Sequence, residues 1–447
     1  MSVTLSSQQV SGVKKIVNWF KNDTAIKQVF VLAGFAGTGK STILPDIMNE
    51  LGLTVADIAF CAPTGKAAKV MGEKLRAQGF TNAYPSTVHS LIYQPKMQKA
   101  EVLEKQLEEA KTQWMALKTG AADPPPADLR MELKEQERKI HILEKDLDRA
   151  YTMDDLRFSL NPDSKLITDD KKIIILDEAS MVGVEMAEDL ASFEIPVLAI
   201  GDPGQLPPVG DEPGFLSGTP DFFLTEIHRQ AAENPIIRLA TMVRKGERGD
   251  YGDYGGGVMI IRPKQDEFSL DLGRDAQIIC GTNKRRWQLT SKIRKAAGFG
   301  GLTAPQAGEP LIMCKNSKIH PALVNGTSIF SASDHDDLEE GSARFILDIK
   351  DEEGAAKRLF TYQGLFEEHL KREKNWSSAS KQAAFKSRIT DHSVDFGWAI
   401  TCHKSQGSQW DEVIVHDESW VFKEAADQWL YTAITRAAER LIIVAPE

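Results

Sequence analysis

The chain has 447 residues, 42% of them hydrophobic and 26% charged, with a formal net charge of −10. This length predicts roughly three domains, each large enough to bury a core. No apolar run reaches the roughly 18 residues of a membrane span, and the first ten residues lack the basic-then-apolar layout of a secretory signal. The four cysteines are far apart and form no CxxC pair, which predicts reduced core thiols rather than a zinc site or a disulfide frame. The negative charge argues against a protein that coats nucleic acid but leaves room for a locally basic groove.

A glycine-rich segment, GFAGTGKS, begins at Gly34 and ends at Ser41. It follows an apolar run at residues 29–33, which is typical of a buried parallel strand, and it precedes an expected helix. The spacing G-x-x-x-x-G-K-S is that of a phosphate loop, in which backbone amides and a helix N-terminus surround phosphate oxygens. We therefore expect ATP here, with Lys40 on its β- and γ-phosphates and the Ser41 hydroxyl on Mg²⁺. The expected ATP-binding residues of the segment are Gly34, Ala36, Gly37, Thr38, Gly39, Lys40, Ser41 and Thr42.

Apolar runs alternate with amphipathic stretches along much of the chain. Four runs in the first 245 residues predict a parallel sheet covered by helices, and three later runs predict a second sheet. The runs lie at residues 29–33, 58–62, 173–176 and 197–200, then from 276, at 413–415 and at 441–444. The predicted fold class is α/β, with a first domain at 1–93 and 166–245 and a second at 246–326 and 395–447.

The stretch inserted in the first domain, residues 94–165, has apolar residues at heptad spacing. The two series are Leu103, Leu107, Ala110, Trp114 and Leu117, then Leu129, Leu133, Ile140, Leu143 and Leu147, with Gln136 at one seam position. The intervening GAADPPP cannot be helical. We predict two helices of about 20 residues that form an antiparallel hairpin about 30 Å long, in preference to a solvated charged linker.

A more polar stretch interrupts the second domain at residues 327–394. It contains short alternating runs such as SARFILD at 342–348. Because an alternation with a period of two is typical of strands, we predict a small β-barrel-like insert here.

Two further segments follow apolar strands and carry groups suited to nucleotide hydrolysis. The run at 173–176 ends in Asp177 and Glu178; the first carboxylate can hold Mg²⁺ and the second can orient or deprotonate the attacking water. Gln205, in GDPGQLPP, can bond both a γ-phosphate oxygen and that water. Taken alone, each segment also fits an ordinary solvated strand end or a Pro/Gly turn.

The order of these segments resembles a known motif series. The segments are GFAGTGKS, CAPTGKAA, STVHSL, ILDEASM, GDPGQLPP, LTEIHRQ, ITCHKSQGS and LYTAITRA. They resemble the motifs of superfamily 1 helicases, and HKSQG favours the RecD/Dda branch. The resemblance extends from Gln9 to Arg436. It implies two RecA-like motor domains, ATP in the cleft between them, and movement along single-stranded DNA from 5′ to 3′; no residue indicates that polarity independently.

The resemblance also implies roles for residues outside the phosphate loop. Gln9 resembles the glutamine that reads the adenine edge, with Gln8 as a less favoured register. Arg229 and Arg436 resemble the arginines that clamp the γ-phosphate, where they can stabilise developing charge. The expected catalytic set is Lys40, Asp177, Glu178, Gln205, Arg229 and Arg436, and the expected Mg²⁺ ligands are Ser41 and Asp177.

Contacts to single-stranded DNA are implied on both domains. They are Pro63, Thr64, Lys66, Thr87 and His89 on the first, and Asn283, Thr401, His403, Lys404 and Ser405 on the second. In addition, residues 281–320 contain eight Lys and Arg against one acid, Glu309, with Trp287 among them. That composition fits a surface that follows a phosphate backbone and stacks a base, and it fits a solvated basic helix equally well.

The sequence therefore predicts an ATP-dependent DNA helicase that acts on single strands and duplex junctions. We expect a monomer in the cytoplasm of a bacterial or phage-infected cell, with the hairpin as a site for a replication or recombination protein. Two alternatives stay open. One is a translocase that displaces proteins or remodels forks with weak unwinding, and the other is a nucleotide-regulated module that binds DNA or a partner. The preference for DNA over RNA is also open.

Overall fold

The structure is a computed structural model of the chain. It describes residues 5–95, 98–119, 126, 129–130, 132–133, 136–137, 139–140, 158–161, 164–227, 233–263, 276–317, 320–335, 344–362, 366 and 393–446. The residues divide into two compact units, one formed by the chain up to Leu91 and from Lys165 onward, the other by Ile92–Ser164. No helix in the described ranges is long and apolar enough to cross a bilayer.

The described strands are β1 (Val29–Gly34), β2 (Ile58–Ala62), β3 (Ser86–Thr87), β4 (Tyr93–Pro95), β5 (Phe158–Leu160), β6 (Ile173–Leu176), β7 (Val197–Gly201), β8 (Phe222–Leu224), β9 (Gly252–Gly255), β10 (Val258–Ile261), β11 (Gln277–Cys280), β12 (Pro310–Met313), β13 (Ser328–Ser331), β14 (Arg344–Lys350), β15 (Ala356–Tyr362), β16 (Val394–Phe396), β17 (Ala399–Thr401), β18 (Trp410–His416) and β19 (Ala437–Val444). The described α-helices are α1 (Ser7–Asn18), α2 (Leu44–Leu51), α3 (Gly65–Ala77), α4 (Val88–Ile92), α5 (Gln98–Thr119), α6 (Lys165–Thr168), α7 (Val184–Ala191), α8 (Pro235–Arg244), α9 (Asn283–Ala296), α10 (Cys402–Ser405) and α11 (Ala426–Ile434).

The first sheet contains six parallel strands in the order β3-β2-β6-β7-β1-β8. Every residue of β2, β6 and β7 is buried, as expected for strands that helices cover on both faces. The four apolar runs predicted as strands in this half of the chain are all present, so the parallel-sheet prediction is confirmed.

The second sheet has the order β17-β11-β18-β19-β10-β9, parallel except for the antiparallel pair β9 and β10. Its three predicted runs correspond to β11, β18 and β19, which confirms a second parallel sheet. Helix α8 is buried in the same core as β10, β19 and α11. The predicted boundary between residues 245 and 246 separates α8 from that core, and we propose that the second domain begins ahead of this helix.

A five-stranded antiparallel sheet has the order β15-β14-β13-β12-β16. It begins with β12, ahead of the predicted insert at 327–394, and its last strand reaches Phe396. No pairing between β15 and β16 closes it into a barrel within the described ranges. Residues 363–365 and 367–392, which the insert was predicted to include, lie outside the description.

The unit Ile92–Ser164 includes most of the residues that were predicted to form a hairpin. Helix α5 spans 22 residues and matches the first predicted helix. Its Leu107 and Ala110 are buried, and Ile140 from the second predicted helix packs against them. Strands β4 and β5 pair in antiparallel fashion at the base of the insert, a ladder that the sequence did not predict. Residues 141–157, with Leu143 and Leu147, lie outside the described residues.

Gly407 joins the two sheet domains at a close contact. Its φ is +73°, and a Cβ there would lie 2.7 Å from Cβ of Ala67 in α3. Only a residue without a side chain fits both the left-handed backbone and this contact. Gly298 has a similar φ of +87° but open space around it.

We predict that Gly407→Ala lowers the thermal unfolding midpoint more than Gly298→Ala. The control substitution introduces only backbone strain, about 1–3 kcal/mol, whereas Gly407→Ala adds a steric overlap with α3. Differential scanning fluorimetry of the two variants provides the measurement. Equal decreases of the midpoint in the two variants would show that α3 and the loop at Gly407 can move apart without a loss of stability.

Candidate functional site

The edge of the first sheet where the strands end brings the predicted catalytic segments together. Strands β6, β7 and β1 are neighbours in the sheet, and all run in the same direction. Asp177 follows β6, Asp202 follows β7, and the phosphate loop follows β1. Because parallel strands end at one edge, three segments that are distant in sequence share one site.

The phosphate loop has the backbone that its glycines allow. Gly37 and Gly39 adopt φ values of +80° and +72°, and a Cβ on Gly34 would lie 2.7 Å from Oγ1 of Thr38. Residues Lys40–Ile43 form one turn of 3₁₀ helix, after which α2 begins at Leu44 with a proline in its first turn. The regular helix therefore starts two residues later than the sequence predicted, because the tight turn comes first.

Lys40 is folded back onto its own loop. Its Nζ donates to the carbonyl oxygens of Gly34 at 2.6 Å and Phe35 at 3.2 Å. The same Nζ lies 3.8 Å from Oδ2 of Asp202. The ammonium therefore lies at the phosphate loop itself.

The two predicted carboxylates differ in their surroundings. Oδ1 of Asp177 accepts a hydrogen bond from the backbone N–H of Glu178 at 2.9 Å. Burial and the neighbouring Glu178 carboxylate raise the pKa of Asp177, opposed by Lys74 and Lys40. Glu178 has a left-handed backbone with φ of +56°, a conformation that is uncommon for a residue with a side chain and is often found at functional sites.

Gln205 lies in the loop after β7 and is buried. Its backbone N–H donates to the carbonyl of Asp202 at 3.1 Å, which closes the turn. Its side-chain oxygen Oε1 is buried and has no hydrogen-bond partner in the part of the chain that the structure describes. An orphan acceptor at this edge of the sheet can receive a hydrogen bond from a bound water, as the sequence predicted for Gln205.

The remaining predicted nucleotide residues occupy different positions. Arg436 follows α11 and donates to the carbonyls of Thr432 and Ser408 at 3.1 and 3.2 Å. Gln9 is buried, closes the capping box of α1 with Ser6, and directs Nε2 at the carbonyls of Thr38 and Gly39. Arg229 lies outside the described residues.

Asp202 and Tyr431 are part of the site although the sequence reasoning assigned them no role. The Tyr431 hydroxyl donates to Oδ2 of Asp202 at 2.8 Å and accepts from the backbone N–H of Ala36 at 2.8 Å. Nearby, the guanidinium of Arg244 lies 3.3 Å from the ring centroid of Phe35. Asp202 lies in the motif GDPGQLPP and Tyr431 in LYTAITRA. Their place in these motifs was the only sequence signal for a role.

The site suits a nucleotide with Mg²⁺ on structural grounds. It offers a glycine-lined cradle, a lysine beside it, a buried carboxyl group and an unpartnered amide oxygen. No cluster of three or more His, Cys, Asp or Glu occurs among the described residues. Proteins usually bind Mg²⁺ through one or two side chains together with substrate phosphates and water.

Of the predicted single-strand contacts of the first domain, Thr87 lines a cavity of about 320 Å³, whereas Pro63, Thr64, Lys66 and His89 are not among its lining residues. The start of α3 and the loop that contains Pro321 and Val324 also line it. Lys66 is ion-paired with Glu352, at the turn between β14 and β15, and Nζ of Lys69 lies 2.9 Å from the other oxygen of that carboxylate. Burial raises the pKa of Glu352, but the two lysines outweigh it, and the pKa is lowered overall.

Several predicted contact residues are engaged within the protein. Thr64 caps α3, and Thr87 accepts from the backbone N–H of Ser90. Ser405 donates to the carbonyl of Cys402. Thr401 precedes α10, and Asn283 is the first residue of α9. Pro63 follows β2 directly.

His89 and His403 are partly buried, whereas Lys404 is exposed. Burial lowers the pKa of both His89 and His403, which favours neutral imidazoles that can hydrogen-bond but add no positive charge. His403 packs against Phe422, and Nζ of Lys404 lies 3.8 Å from the sulfur of Cys314.

Part of the basic stretch at 281–320 is internal. Arg286 and Arg294 are buried and paired with Asp395 and Glu309, each at 2.7 Å. Nε1 of Trp398 also donates to Glu309. These two arginines stabilise the packing of α9, so neither of the two alternatives for this stretch, a surface that follows a phosphate backbone or a solvated basic helix, holds for them.

We predict that Asp177→Asn raises the thermal unfolding midpoint of the nucleotide-free protein at neutral pH. The folded-state pKa of Asp177 is raised, so its contribution to stability is full below the unfolded pKa and is lost as pH rises through the folded pKa. Asparagine does not titrate, so the variant has no such loss of stability. The difference in unfolding midpoint between the variant and the wild type should therefore grow from acid to neutral pH.

Asp250→Asn is the matched control because Asp250 is exposed. Its midpoint should follow the wild type at every pH. If Asp177→Asn instead lowers the midpoint across the whole range, the carboxylate is stabilised by its surroundings and the argument from burial fails.

Comparisons with known proteins agree with this geometry. Residues 20–211 match the family model of an AAA domain, and residues 396–444 match that of a UvrD-like helicase C-terminal domain. A curated relative, the ATP-dependent RecD2 DNA helicase of Deinococcus radiodurans, is 26% identical over 441 residues, covering 92% of this chain and 46% of that protein. An uncharacterised protein of Methanocaldococcus jannaschii is 23% identical over 505 residues, covering 97% of this chain and 37% of that protein. The chain thus spans less than half the length of these curated relatives.

A solved structure of similar fold is that of the Bacteroides Pif1 helicase in complex with ADP-AlF3 and single-stranded DNA. It has a TM-score of 0.50 and 17% identity, and the match covers 100% of this chain and 95% of that one. The two parallel sheets agree with this likeness in fold. By its domain matches and its RecD2 relative, the chain is similar to the RecD-like helicases of superfamily 1.

Proposed function

We propose that the chain is an ATP-dependent DNA helicase that moves from 5′ to 3′ on single-stranded DNA and unwinds duplex DNA. One observation carries this proposal: Lys40, Asp177 and Gln205 lie at one edge of the first sheet, and α11 of the second domain contacts the same edge through Tyr431. A nucleotide bound there would lie between two domains, so its hydrolysis can change how they fit together.

The roles of the side chains follow from where they lie. Lys40 would leave the carbonyls of Gly34 and Phe35 and neutralise phosphate oxygens, and Gln205 would hold the attacking water through its free Oε1. Glu178 would accept the proton from that water. Arg436 would turn from the carbonyls of Thr432 and Ser408 to the γ-phosphate, and Arg229 is proposed as the second arginine of the clamp.

Ser41 and Asp177 would hold Mg²⁺. The ion would supply charge neutralisation between the phosphates, as in other phosphate-loop hydrolases. The raised pKa of Asp177 fits a carboxyl group that awaits a cation, because a bound metal favours the ionised form.

The proposed DNA path runs past the start of α3, the Thr87 turn and α10. Support comes from the cavity lined by α3, Thr87 and the loop at Val324, and from the contact of Gly407 with α3. The path therefore crosses both domains, so a change in their fit can be passed to the bound strand. The curated relative is an ATP-dependent DNA helicase by name, which supports DNA over RNA.

The direct test is the rate of ATP hydrolysis with and without single-stranded DNA, followed by strand displacement on 5′-tailed and 3′-tailed duplexes. Stimulation by DNA together with displacement of the 5′-tailed duplex is expected. Stimulation without displacement would leave a translocase, and hydrolysis that ignores DNA would indicate a nucleotide-regulated binding module. Displacement of the 3′-tailed duplex alone would reverse the proposed polarity.

We predict that Glu178→Gln binds Mg²⁺-ATP but hydrolyses it about 10²–10⁴ times more slowly, because the amide keeps the shape and loses the base. Fluorescent-nucleotide titration and a phosphate-release assay measure the two properties. Glu185→Gln, on the exposed face of α7, is the matched control and should behave as wild type. Loss of nucleotide binding in a folded Glu178→Gln protein would contradict the assigned role.

We predict that Glu352→Gln strengthens binding of single-stranded DNA in the absence of nucleotide. The substitution releases Lys66 and Lys69 from a carboxylate that now pairs with both. Two extra phosphate contacts should tighten binding several-fold at low salt and steepen the salt dependence by about one to two phosphate equivalents. Fluorescence anisotropy with a labelled oligothymidine across a salt series provides the measurement.

Glu353→Gln is the control for this experiment. Glu353 is the next residue and is exposed, and its substitution removes the same charge. It makes no hydrogen bond to Lys66 or Lys69 among the described contacts. Equal gains in both variants would indicate a general charge effect, and no gain in either would show that these lysines do not contact the strand.

A further inference from the structure

A continuous chain of hydrogen bonds joins the phosphate loop to the second domain. The backbone N–H of Ala36 donates to the Tyr431 hydroxyl at 2.8 Å, and that hydroxyl donates to Oδ2 of Asp202 at 2.8 Å. Oδ1 of Asp202 accepts from the backbone N–H of Gly204 at 2.9 Å. Since Oδ2 also lies 3.8 Å from Nζ of Lys40, one carboxyl group faces both the phenol and the phosphate-loop lysine.

Other contacts hold the second domain to the loop after β7 without using the Tyr431 hydroxyl. Oγ1 of Thr432 accepts from the N–H of Leu206 at 2.9 Å. Gln406 donates to the carbonyl of Leu206 at 3.0 Å, and Gln428 donates to that of Pro203 at 3.4 Å. These bonds reach only the loop after β7. Among these contacts, the Tyr431 bond is the one that extends to the phosphate loop.

The environment fixes the phenol as a neutral group. Tyr431 is 2% exposed, and burial followed by the nearby Asp202 raises its pKa. A neutral phenol has one proton and can donate to Asp202 while it accepts from Ala36. Burial likewise raises the pKa of Asp202, opposed first by Lys40 and then by Tyr431. The state of Asp202 therefore depends on where Lys40 lies.

We propose that Tyr431 is a positioning residue that couples occupation of the phosphate loop to the placement of Arg436. This inference rests on the proposed function. When Lys40 turns to a phosphate, Asp202 loses its nearby cation and Tyr431 becomes its principal partner. The position of the phenol therefore responds to the change at Asp202 and to any movement of the Ala36 amide. Arg436 lies five residues further on, just beyond the end of α11, so a shift of the helix moves the arginine.

The test is Tyr431→Phe, which keeps the buried ring and removes the hydroxyl. The value of kcat for ATP hydrolysis should fall at least tenfold with saturating single-stranded DNA, while KM for ATP changes less than threefold. Tyr254→Phe is the matched control, because that hydroxyl donates to the carbonyl of Asp250 in an exposed turn. It should match wild type in both constants.

Asp202→Asn is the second variant, and the double variant completes a cycle. If Tyr431 acts through Asp202, the double variant should be no slower than the slower single variant. Losses in kcat that multiply would overturn the coupling. A Tyr431→Phe protein with unchanged kcat and raised KM, or with a lowered melting point and no other change, would also overturn it.

Hydrogen exchange gives a readout that needs no DNA. In wild type, a slowly hydrolysed ATP analogue with Mg²⁺ should protect peptides covering residues 34–41 and 426–436. Tyr431→Phe should keep protection of the first and lose that of the second. Full protection of both peptides in the variant would overturn the inference alone. A wild-type protein that does not hydrolyse ATP would overturn the proposed function, and this inference with it.

Discussion

Parallel strands that end at a common edge are the constraint on which the rest of this structure depends. Strands β6, β7 and β1 are adjacent, although their sequence order differs from their order in the sheet. Each is followed at once by a segment that supplies polar groups. The fully buried strands hold those segments in place, so the geometry of the site comes from the core of the sheet.

Buried polar groups are concentrated at the same edge of the sheet. Asp177 and Asp202 both have raised pKa values because burial disfavours their ionised forms, and Oε1 of Gln205 has no partner. Buried carboxylates and a buried amide oxygen without a partner are costly in a core. A bound cation and phosphate would relieve that cost, so binding and stability are linked at this site. The second domain closes the same edge through Tyr431 and Thr432, which places its contribution beside the most polar part of the first domain.

The sequence allowed the sheets and the catalytic segments to be predicted because both depend on local signals. Apolar runs indicate β2, β6 and β11 directly, and the phosphate loop has a fixed spacing. Contacts between distant residues were not predictable in this way. Arg286 pairs with Asp395, 109 positions away, and was read as a surface cation because charge alone does not reveal a buried partner. Tyr431 and Asp202 are 229 positions apart, and nothing in either motif indicates a hydrogen bond between them.

The inserts show the same limit. Helix α5 follows a heptad pattern and was predicted, whereas the short β4 and β5 ladder depends on pairing across about 60 residues of intervening chain. The predicted start of the β insert left out β12. That strand joins the sheet through β13 and β16, which both come later in the chain. A strand of four residues has too little pattern of its own to show which sheet it joins.

The central claim is that a nucleotide binds at this edge, between the two sheet domains. The most direct measurement is an experimental structure with Mg²⁺ and a non-hydrolysable ATP analogue. The account predicts phosphates at the amides of the loop, the metal at Ser41 and Asp177, and Nζ of Lys40 moved from the carbonyls of Gly34 and Phe35 to a phosphate oxygen. A nucleotide bound elsewhere, or Lys40 still on those carbonyls with the loop occupied, would contradict it.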